Sequence, residues 1–232
     1  MRRTADLHLR PEIADRDSLE CMAQIADEMG FSHLGIAFDL TTPKEKKKDA
    51  LHIFEKQGID ALSRTDITRS RHQDLLRVLP KARASFDLVA VECSSRQVSS
   101  LAFRDRRIDI VYFNAERPRF DHRNFISKNA NRLIEINLSD ILSFKPLDFR
   151  LARAMAQIAE AKRNRAPMLI SSGATGPLSM RGPQEMASLA MIAGLDLPTA
   201  MNAVSDTPVL LADSRLRRRN PAFVAEGVRL VR

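Results

Sequence analysis

One stretch indicates the fold most directly: MLISSGATGPLSMRGP, residues 168–183. Its first three residues form a short apolar run typical of a buried β-strand, small residues follow as a loop, and Pro183 suits the first turn of a helix. This strand–loop–helix order is the repeating unit of α/β proteins, which place their working groups at such strand ends. The loop contains no histidine base, no set of metal ligands and no activated nucleophile. The loop therefore lies where α/β proteins place their active sites, but it lacks the residues that would carry out a reaction.

The same unit recurs along the chain on both sides of this stretch. Apolar runs predict strands at residues 7–9, 33–38, 59–67, 86–92, 108–113, 133–136 and 168–170. Segments of helical periodicity separate them, including helices predicted around residues 119–131 and 147–161. The first helix shows a capping box at Asp17 and Glu20 and a terminating Gly30.

About seven strand–helix units in regular alternation predict parallel strands joined by crossover helices. A single α/β domain with a TIM-like (βα) barrel fits best, because the predicted strands are apolar on both faces. A doubly wound open sheet is the alternative, but no glycine-rich dinucleotide turn follows the first strand. We expect the barrel at residues 1–214 and a basic C-terminal tail at residues 215–232, which either remains solvated or contacts RNA.

Composition indicates a polyanionic partner. The 232 residues include 37 Lys and Arg against 29 Asp and Glu, which gives a formal net charge of +8. Nucleic acid is the leading candidate for such a surface. Cys21 and Cys93 are predicted to be reduced thiols of an intracellular protein. Since no apolar run approaches the roughly 18 residues of a membrane span and no signal peptide is apparent, we expect a cytoplasmic protein with no membrane partner.

Basic residues follow several predicted strands, where the loops of a barrel share one rim. The RNA-binding candidates are Lys46, Lys47, Arg69, Arg71, Arg117, Arg119, Arg123, Lys128 and Arg181, and Arg64 belongs to the same basic group. Basic residues also occupy the opposite connections, so the sequence defines no single groove, and ordinary solvation is the favoured role for each residue taken alone. Joint charge reversal at Arg117, Arg119 and Arg123 is predicted to weaken RNA association more at low salt than at high salt.

Residues 171–183 also allow a phosphate cradle. Glycine lets backbone amides approach an anion, a helix N-terminus favours negative charge, and Arg181 would add a cation. A purely structural role is favoured, because Gly182 and Pro183 are simply a good start for a helix.

A metal site is the other candidate. Asp6 and His8 alternate on the first strand and would share one face, while Asp39 and Glu92 lie near strand ends. Histidine and carboxylate could begin a metal cluster, but the other histidines form no ligand-spaced pair. Satisfied buried polar groups are the favoured interpretation, and the sequence assigns no catalytic residue.

The order of these motifs resembles a known family. The opening Asp6-Leu7-His8, the strands at residues 86–92 and 108–111, the segment 169–174 and Arg181-Gly182-Pro183 are similar to protein component 3 of archaeal ribonuclease P. That family is homologous to the PHP-like barrel subunit of the eukaryotic enzyme. The resemblance spans nearly the whole chain.

The resemblance implies a subunit of a ribonucleoprotein endonuclease that removes the 5′ leader of precursor tRNA. In that family the RNA subunit supplies the catalytic site with magnesium, and the barrel protein, which needs no cofactor, works with other small protein subunits to stabilise the RNA. Related PHP metallophosphoesterases carry a histidine-rich metal cluster, whereas Asp6-Leu7-His8 stands here where paired histidines would begin it. This departure favours a scaffold, and an autonomous metal-dependent phosphoesterase of PHP type is the alternative.

Overall fold

The computed structural model describes residues 2–113, 132–142 and 147–219, together with two short strands beyond them. The strands of the main sheet are β1 (Ala5–Leu9), β2 (His33–Ala37), β3 (Asp60–Ile67), β4 (Leu88–Glu92), β5 (Ile110–Tyr112), β6 (Leu133–Asn137) and β7 (Met168–Ser171). The helices are α1 (Arg16–Glu28), α2 (Lys44–Glu55), α3 (His72–Ser85), α4 (Arg96–Arg104), α5 (Leu138–Leu142), α6 (Leu147–Arg163), α7 (Pro183–Ile192), α8 (Leu197–Val204) and α9 (Asp206–Arg217). A separate antiparallel pair consists of β8 (Phe223–Ala225) and β9 (Val228–Arg229).

The seven main strands pair in parallel in the order β1-β2-β3-β4-β5-β6-β7 and form a nearly closed barrel. Backbone hydrogen bonds bridge the seam between the first and last strands: the Gly173 amide donates to the His8 carbonyl at 3.0 Å, and the Arg10 amide donates to the Ala174 carbonyl at 2.7 Å. The predicted α/β TIM-like barrel is confirmed, and each of the seven predicted strands is present.

The apolar residues form two layers because successive side chains of a strand point to opposite faces. The larger layer lies between the outer face of the strands and the helices, and includes Phe54 of α2 and Leu79 of α3. The smaller layer fills the barrel interior with residues such as Leu7, Leu62 and Leu88. Close strand packing requires a glycine at position 35, where a Cβ atom would lie 2.3 Å from the Leu7 carbonyl oxygen.

Helix α9 closes the amino-terminal end of the barrel. Its Val209 and Ala212 pack against the interior layer, and its Arg215 forms a buried ion pair with Asp109. Beyond the helix, the Arg219 guanidinium donates to both Asp87 carboxylate oxygens, at 2.9 and 2.7 Å. The boundary predicted at residue 214 therefore falls inside α9, and residues 215–219 of the predicted tail belong to the barrel because the buried Asp109 and the partly buried Asp87 pair with cations there.

Two local predictions differ from the structure. Helix α1 begins after Asp15, whose carboxylate accepts the Ser18 amide at 3.0 Å, so the capping residue predicted at Asp17 is wrong. Asp17 lies in the first turn, where its charge favours the positive end of the helix dipole. The helix predicted at residues 119–131 lies outside the described residues. Among the helices that are described, none has both the length and the apolar content of a membrane span.

Candidate functional site

The carboxyl end of the barrel interior holds a cluster of charged side chains. Strand alternation places Leu62, Arg64 and Asp66 of β3 on the inner face, and Glu135 of β6 projects into the same space. His8 of β1 completes the group. We refer to His8, Arg64, Asp66 and Glu135 as the charge cluster. It lies at the end of the barrel where enzymes of this fold keep their active sites.

Arg64 lies at the centre of the charge cluster and is fully buried. Its Nη2 is 2.5 Å from Glu135 Oε2 and its Nη1 is 2.8 Å from Glu135 Oε1, which makes a bidentate pair. Its Nε donates to Asp66 Oδ1 at 2.8 Å, and Nη1 also donates to the Leu7 carbonyl at 2.9 Å. The guanidinium fork is well suited to such a site because it presents several fixed donors in one plane.

His8 joins the two carboxylates from the other side. Its Nε2 lies 3.0 Å from Asp66 Oδ2, and its Nδ1 lies 3.0 Å from Glu135 Oε1. Ser171, the last residue of β7, donates its hydroxyl to Glu135 Oε1 at 2.6 Å. Asn137 Nδ2 also lies 3.1 Å from His8 Nδ1. Arg64, His8 and the two carboxylates therefore lie in mutual contact within the barrel.

The charges of the cluster fix one another's protonation states. Burial and the nearby Arg64 charge lower the pKa of His8, but Asp66 and Glu135 outweigh them and raise it to about 9. Burial alone would raise the pKa of Glu135, yet Arg64 and His8 hold it at about 2. The pKa of Asp66 is likewise held below its usual range, because Arg64 and His8 outweigh its burial. At neutral pH the cluster thus contains an imidazolium, a guanidinium and two carboxylates.

The cluster does not fit a PHP-type metal site. A metal ion needs open histidine nitrogens and open carboxylate oxygens, whereas both ring nitrogens of His8 already face carboxylates and the Arg64 guanidinium lies between the two carboxylates. Within residues 2–113, 132–142 and 147–219, no group of three or more His, Cys, Asp or Glu side chains is arranged to hold a metal ion.

The four residues of the alternative metal set have separate environments. The Asp6 carboxylate accepts the amides of His8 and Ser172, each at 3.2 Å, and burial raises its pKa to about 6. Asp39 is exposed in the loop after β2, and Glu92 accepts the Thr68 hydroxyl at 2.8 Å. The structure thus brings the His8 imidazole into contact with Asp66 and Glu135, whereas Asp6 contacts His8 only at its backbone amide, and Asp39 and Glu92 lie elsewhere.

The loop that follows β7 uses its amides within the protein. The Ser172 amide donates to Asp6, the Gly173 amide to His8, and the Ala174 amide to the Ser172 hydroxyl. The next two amides donate to the hydroxyl oxygen of Ser179, at 2.9 and 3.1 Å. Since five successive amides already have acceptors, the loop cannot act as the phosphate cradle that its composition allowed.

Gly173 adapts this loop to the mouth of the barrel. Its φ of +65° lies in the left-handed region, and a Cβ atom there would lie 2.3 Å from Asn137 Oδ1. Helix α7 begins beyond the loop at Pro183, and the Glu185 carboxylate accepts the Gly182 amide at 3.1 Å. The favoured structural role of this segment therefore accounts for its sequence.

Eight of the nine predicted RNA-binding residues fall into three groups. Lys46 and Arg71 are exposed and stay candidates. Arg69 is partly exposed near the rim, and its Nη1 donates to the carbonyl of its neighbour Thr68 at 2.7 Å, so it is a weaker candidate. Lys47 is buried: its Nζ donates to the Ser85 carbonyl at 2.7 Å and lies 3.8 Å from the centre of the Phe86 ring, so it is withdrawn from the set. The remaining predicted positions in the β5–β6 connection, Arg117, Arg119, Arg123 and Lys128, lie outside the described residues.

Two further basic residues have internal partners. The Arg181 guanidinium donates to the carbonyls of Leu178 and Met180, which braces its own loop. Arg64, which the sequence places among the basic residues after the third strand, is inside β3 and binds Glu135 and Asp66. The signal that sequence reasoning missed is a charged residue within an otherwise apolar strand. Glu135 has this pattern in β6, whereas β3 also contains Asp60 and Asp66 beside Arg64; a buried charge at either position requires a partner.

The α1–α2 cleft, defined by the loops after β1 and β2 and the adjoining helices, has a volume of about 850 Å³ and reaches Asp66. Basic residues such as Arg10 and Lys46 line it together with the acids Glu12, Asp39 and Asp49. This mixture of signs gives it no preference for a polyanion.

Comparison with known proteins supports the resemblance noted in the sequence. Ribonuclease P protein component 3 of Methanococcoides burtonii is 22% identical over 97% of this chain and 91% of that protein. The Methanothermobacter thermautotrophicus protein of the same name is 24% identical over 97% and 94%. A cryo-EM structure of archaeal ribonuclease P with mature tRNA contains a chain that superposes with a TM-score of 0.77 at 15% identity, over 97% of both chains.

The barrel itself is shared more widely. A putative 2-pyrone-4,6-dicarboxylic acid hydrolase from Pseudomonas putida superposes with a TM-score of 0.53 at 13% identity, which is a likeness of fold alone. A family model described as RNase P subunit p30 matches residues 3–220. Because this match covers nearly all of the barrel, the chain belongs to the RNase P subunit p30 family.

Proposed function

We propose that this chain is a non-catalytic protein subunit of ribonuclease P, which binds and stabilises the RNA subunit together with other small protein subunits. The RNA subunit, with magnesium, supplies the catalytic groups for removal of the 5′ leader from precursor tRNA. Family membership and the similarity to a chain of archaeal ribonuclease P with mature tRNA support the assignment of the complex.

The charge cluster is the observation that carries the non-catalytic role. It occupies the active-site end of the barrel, and its two cations neutralise its two acids. Both ring nitrogens of His8 lie 3.0 Å from carboxylate oxygens, which raise its pKa to about 9; this favours the protonated ring, which has no basic nitrogen to accept a substrate proton. Cys93 offers no nucleophile either, because burial raises the pKa of its thiol to about 12.

RNA binding is assigned to the outer surface, because the cations within the barrel are already paired. Surface Lys and Arg neutralise phosphates without reading sequence, which suits a protein that stabilises a folded RNA. The net charge of +8 supports this assignment.

The test compares the pure chain with the reconstituted enzyme. We expect no cleavage of precursor tRNA by the pure chain with Mg²⁺, Mn²⁺ or Zn²⁺, no stoichiometric bound metal, and faster cleavage when the chain is added to the RNA subunit and the partner proteins. Cleavage by the pure chain that is lost with a chelator and in His8→Ala would instead identify a metal-dependent phosphoesterase. An unchanged rate of the reconstituted enzyme upon adding the chain would contradict the role as a subunit.

A further inference from the structure

A second surface of the barrel differs from the α1–α2 cleft in its charge. A groove of about 490 Å³ runs between helices α3 and α4, and we call it the α3–α4 groove. The described residues that line it are His72, Arg96, Gln97, Ser100, Leu101 and Arg104. None of these lining residues is acidic. The acid of the first turn of α3, Asp74, lies outside this set and is 3.7 Å from Arg77 in an ion pair.

Helix periodicity explains why the polar residues of α4 share one side. Arg96, Ser100 and Arg104 are spaced by four residues, so they form a row along the helix. The row spans about 12 Å at 1.5 Å per residue. The Arg104 Nη2 donates to the Ser100 hydroxyl at 2.8 Å, which aligns this guanidinium with the row. Val98 and Ala102 face the core instead, so the basic row is directed outward.

The rim end of the groove adds features that favour an anion. Helices α3 and α4 begin side by side there, joined by a contact of 3.1 Å between His72 Nδ1 and Gln97 Oε1. The residue that precedes α3 is Arg71, which has no side-chain acceptor for the first-turn amides. These amides and the helix dipole attract negative charge. Arg69 and Arg71 continue the basic surface onto the rim loop.

We propose that the α3–α4 groove binds the sugar–phosphate backbone of the ribonuclease P RNA, with Arg96 and Arg104 as its phosphate-binding cations. The inference rests on the proposed function and names a surface for it. RNA is favoured over an acidic protein segment because the described lining residues include two arginines and no acid, and Leu101 is the only apolar residue among them, whereas protein interfaces centre on apolar anchors.

The experiment measures binding of the whole chain to the ribonuclease P RNA of the same genome, transcribed in vitro, over a range of salt concentrations. The double variant Arg96→Glu/Arg104→Glu is compared with Lys48→Glu/Lys162→Glu, in which both exposed lysines lie outside the groove. Each substitution changes the charge by two units, so both variants change the formal net charge of +8 by the same amount. Circular dichroism and thermal unfolding establish that each variant folds, and Arg96→Gln/Arg104→Gln repeats the test without adding negative charge.

We expect the groove variant to bind about tenfold or more weakly at low salt, with the slope of log affinity against log salt reduced by about two. The lysine variant should keep the wild-type slope and lose less than about threefold in affinity. The groove assignment is overturned if both variants lose affinity equally, or if the groove variant keeps RNA binding and loses only association with a protein subunit. Failure of the wild-type chain itself to bind the RNA would contradict the proposed function instead.

Discussion

The charge cluster and the α3–α4 groove both contain arginine, but the two regions use it differently. In the cluster, Arg64 is fully buried and binds Glu135 and Asp66, so its charge is cancelled a few ångströms away. In the groove, Arg96 and Arg104 are exposed among lining residues that include no acid within the described part of the chain.

The difference lies in what each environment requires. A buried cation must have carboxylate partners, since desolvation without them costs several kcal/mol. An exposed cation stays hydrated whether or not it has a neighbouring partner, and it can pair with a phosphate by releasing counterions. Position relative to the barrel therefore separates structural arginines from candidate RNA-binding ones, although the sequence shows only a general excess of positive charge.

The largest expected effect follows from removing the central cation of the cluster. Arg64→Met leaves Asp66 and Glu135 with His8 alone, and we expect it to lower the free energy of unfolding by about 3–5 kcal/mol. Arg16→Met is the control, because Arg16 forms an exposed pair with Glu20 and should cost at most about 0.5 kcal/mol. Urea denaturation measures both, and equal small losses would show that the cluster does not hold the barrel together.

A substitution at Gly173 tests how tightly the side chains are packed at the carboxyl end of the barrel, next to the charge cluster. In Gly173→Ala the new methyl group meets Asn137 and adopts a positive φ, so we expect a loss of about 3 kcal/mol. Gly58 also has a positive φ, of 79°, but a Cβ atom there meets nothing within 4 Å. Gly58→Ala should therefore cost only about 1 kcal/mol. Chemical denaturation measures the free energy of unfolding of both variants. Similar losses would show that the space beside Asn137 can accommodate a methyl group at position 173.

The cluster also predicts a pH dependence above neutrality. Because the pKa of His8 is about 9 in the folded state against 6.5 for the free side chain, its contribution is complete below pH 6.5 and is lost as the pH rises through 9. The loss is on the order of 3 kcal/mol. Asp6, with a pKa of about 6, titrates below this interval.

The control for this prediction is His8→Gln, which removes the titrating group. Its free energy of unfolding should change much less than that of the wild type between pH 6.5 and 9. A wild-type protein with constant stability over this interval would show that His8 is not held as a cation, and the cluster would then be closer to a conventional metal or acid–base site.

The smallest expected effect concerns Arg181. The sequence makes it a candidate for RNA binding, but its guanidinium donates hydrogen bonds to carbonyls of its own loop. Arg181→Ala should change RNA affinity by less than about twofold and lower the free energy of unfolding by about 1 kcal/mol. Loss of RNA affinity comparable to that of the Arg96 and Arg104 variant would place the loop after β7 in the RNA-binding surface.

The barrel could be predicted from sequence because its signals are local. Alternating apolar strands and amphipathic helices fix the strand–helix units, and a parallel sheet follows from them. The partners of Arg64 could not be predicted, because Glu135 is 71 residues away and meets it only when the barrel closes. The role of helix α9 could not be predicted for a similar reason. Arg215 and Arg219 belong to a basic run that is typical of a solvated tail, and their partners Asp109 and Asp87 are distant in the sequence.

The central claim is that the charge cluster performs no chemistry, and single-turnover cleavage of precursor tRNA tests it most directly. The measurement uses the reconstituted enzyme with saturating amounts of wild-type or His8→Gln protein, each shown to be folded under the assay conditions. We predict cleavage rate constants that agree within about twofold, because the RNA would supply the catalytic groups. A fall of about 100-fold or more, the usual contribution of a general acid or base, would contradict the account and place His8 in the catalytic site.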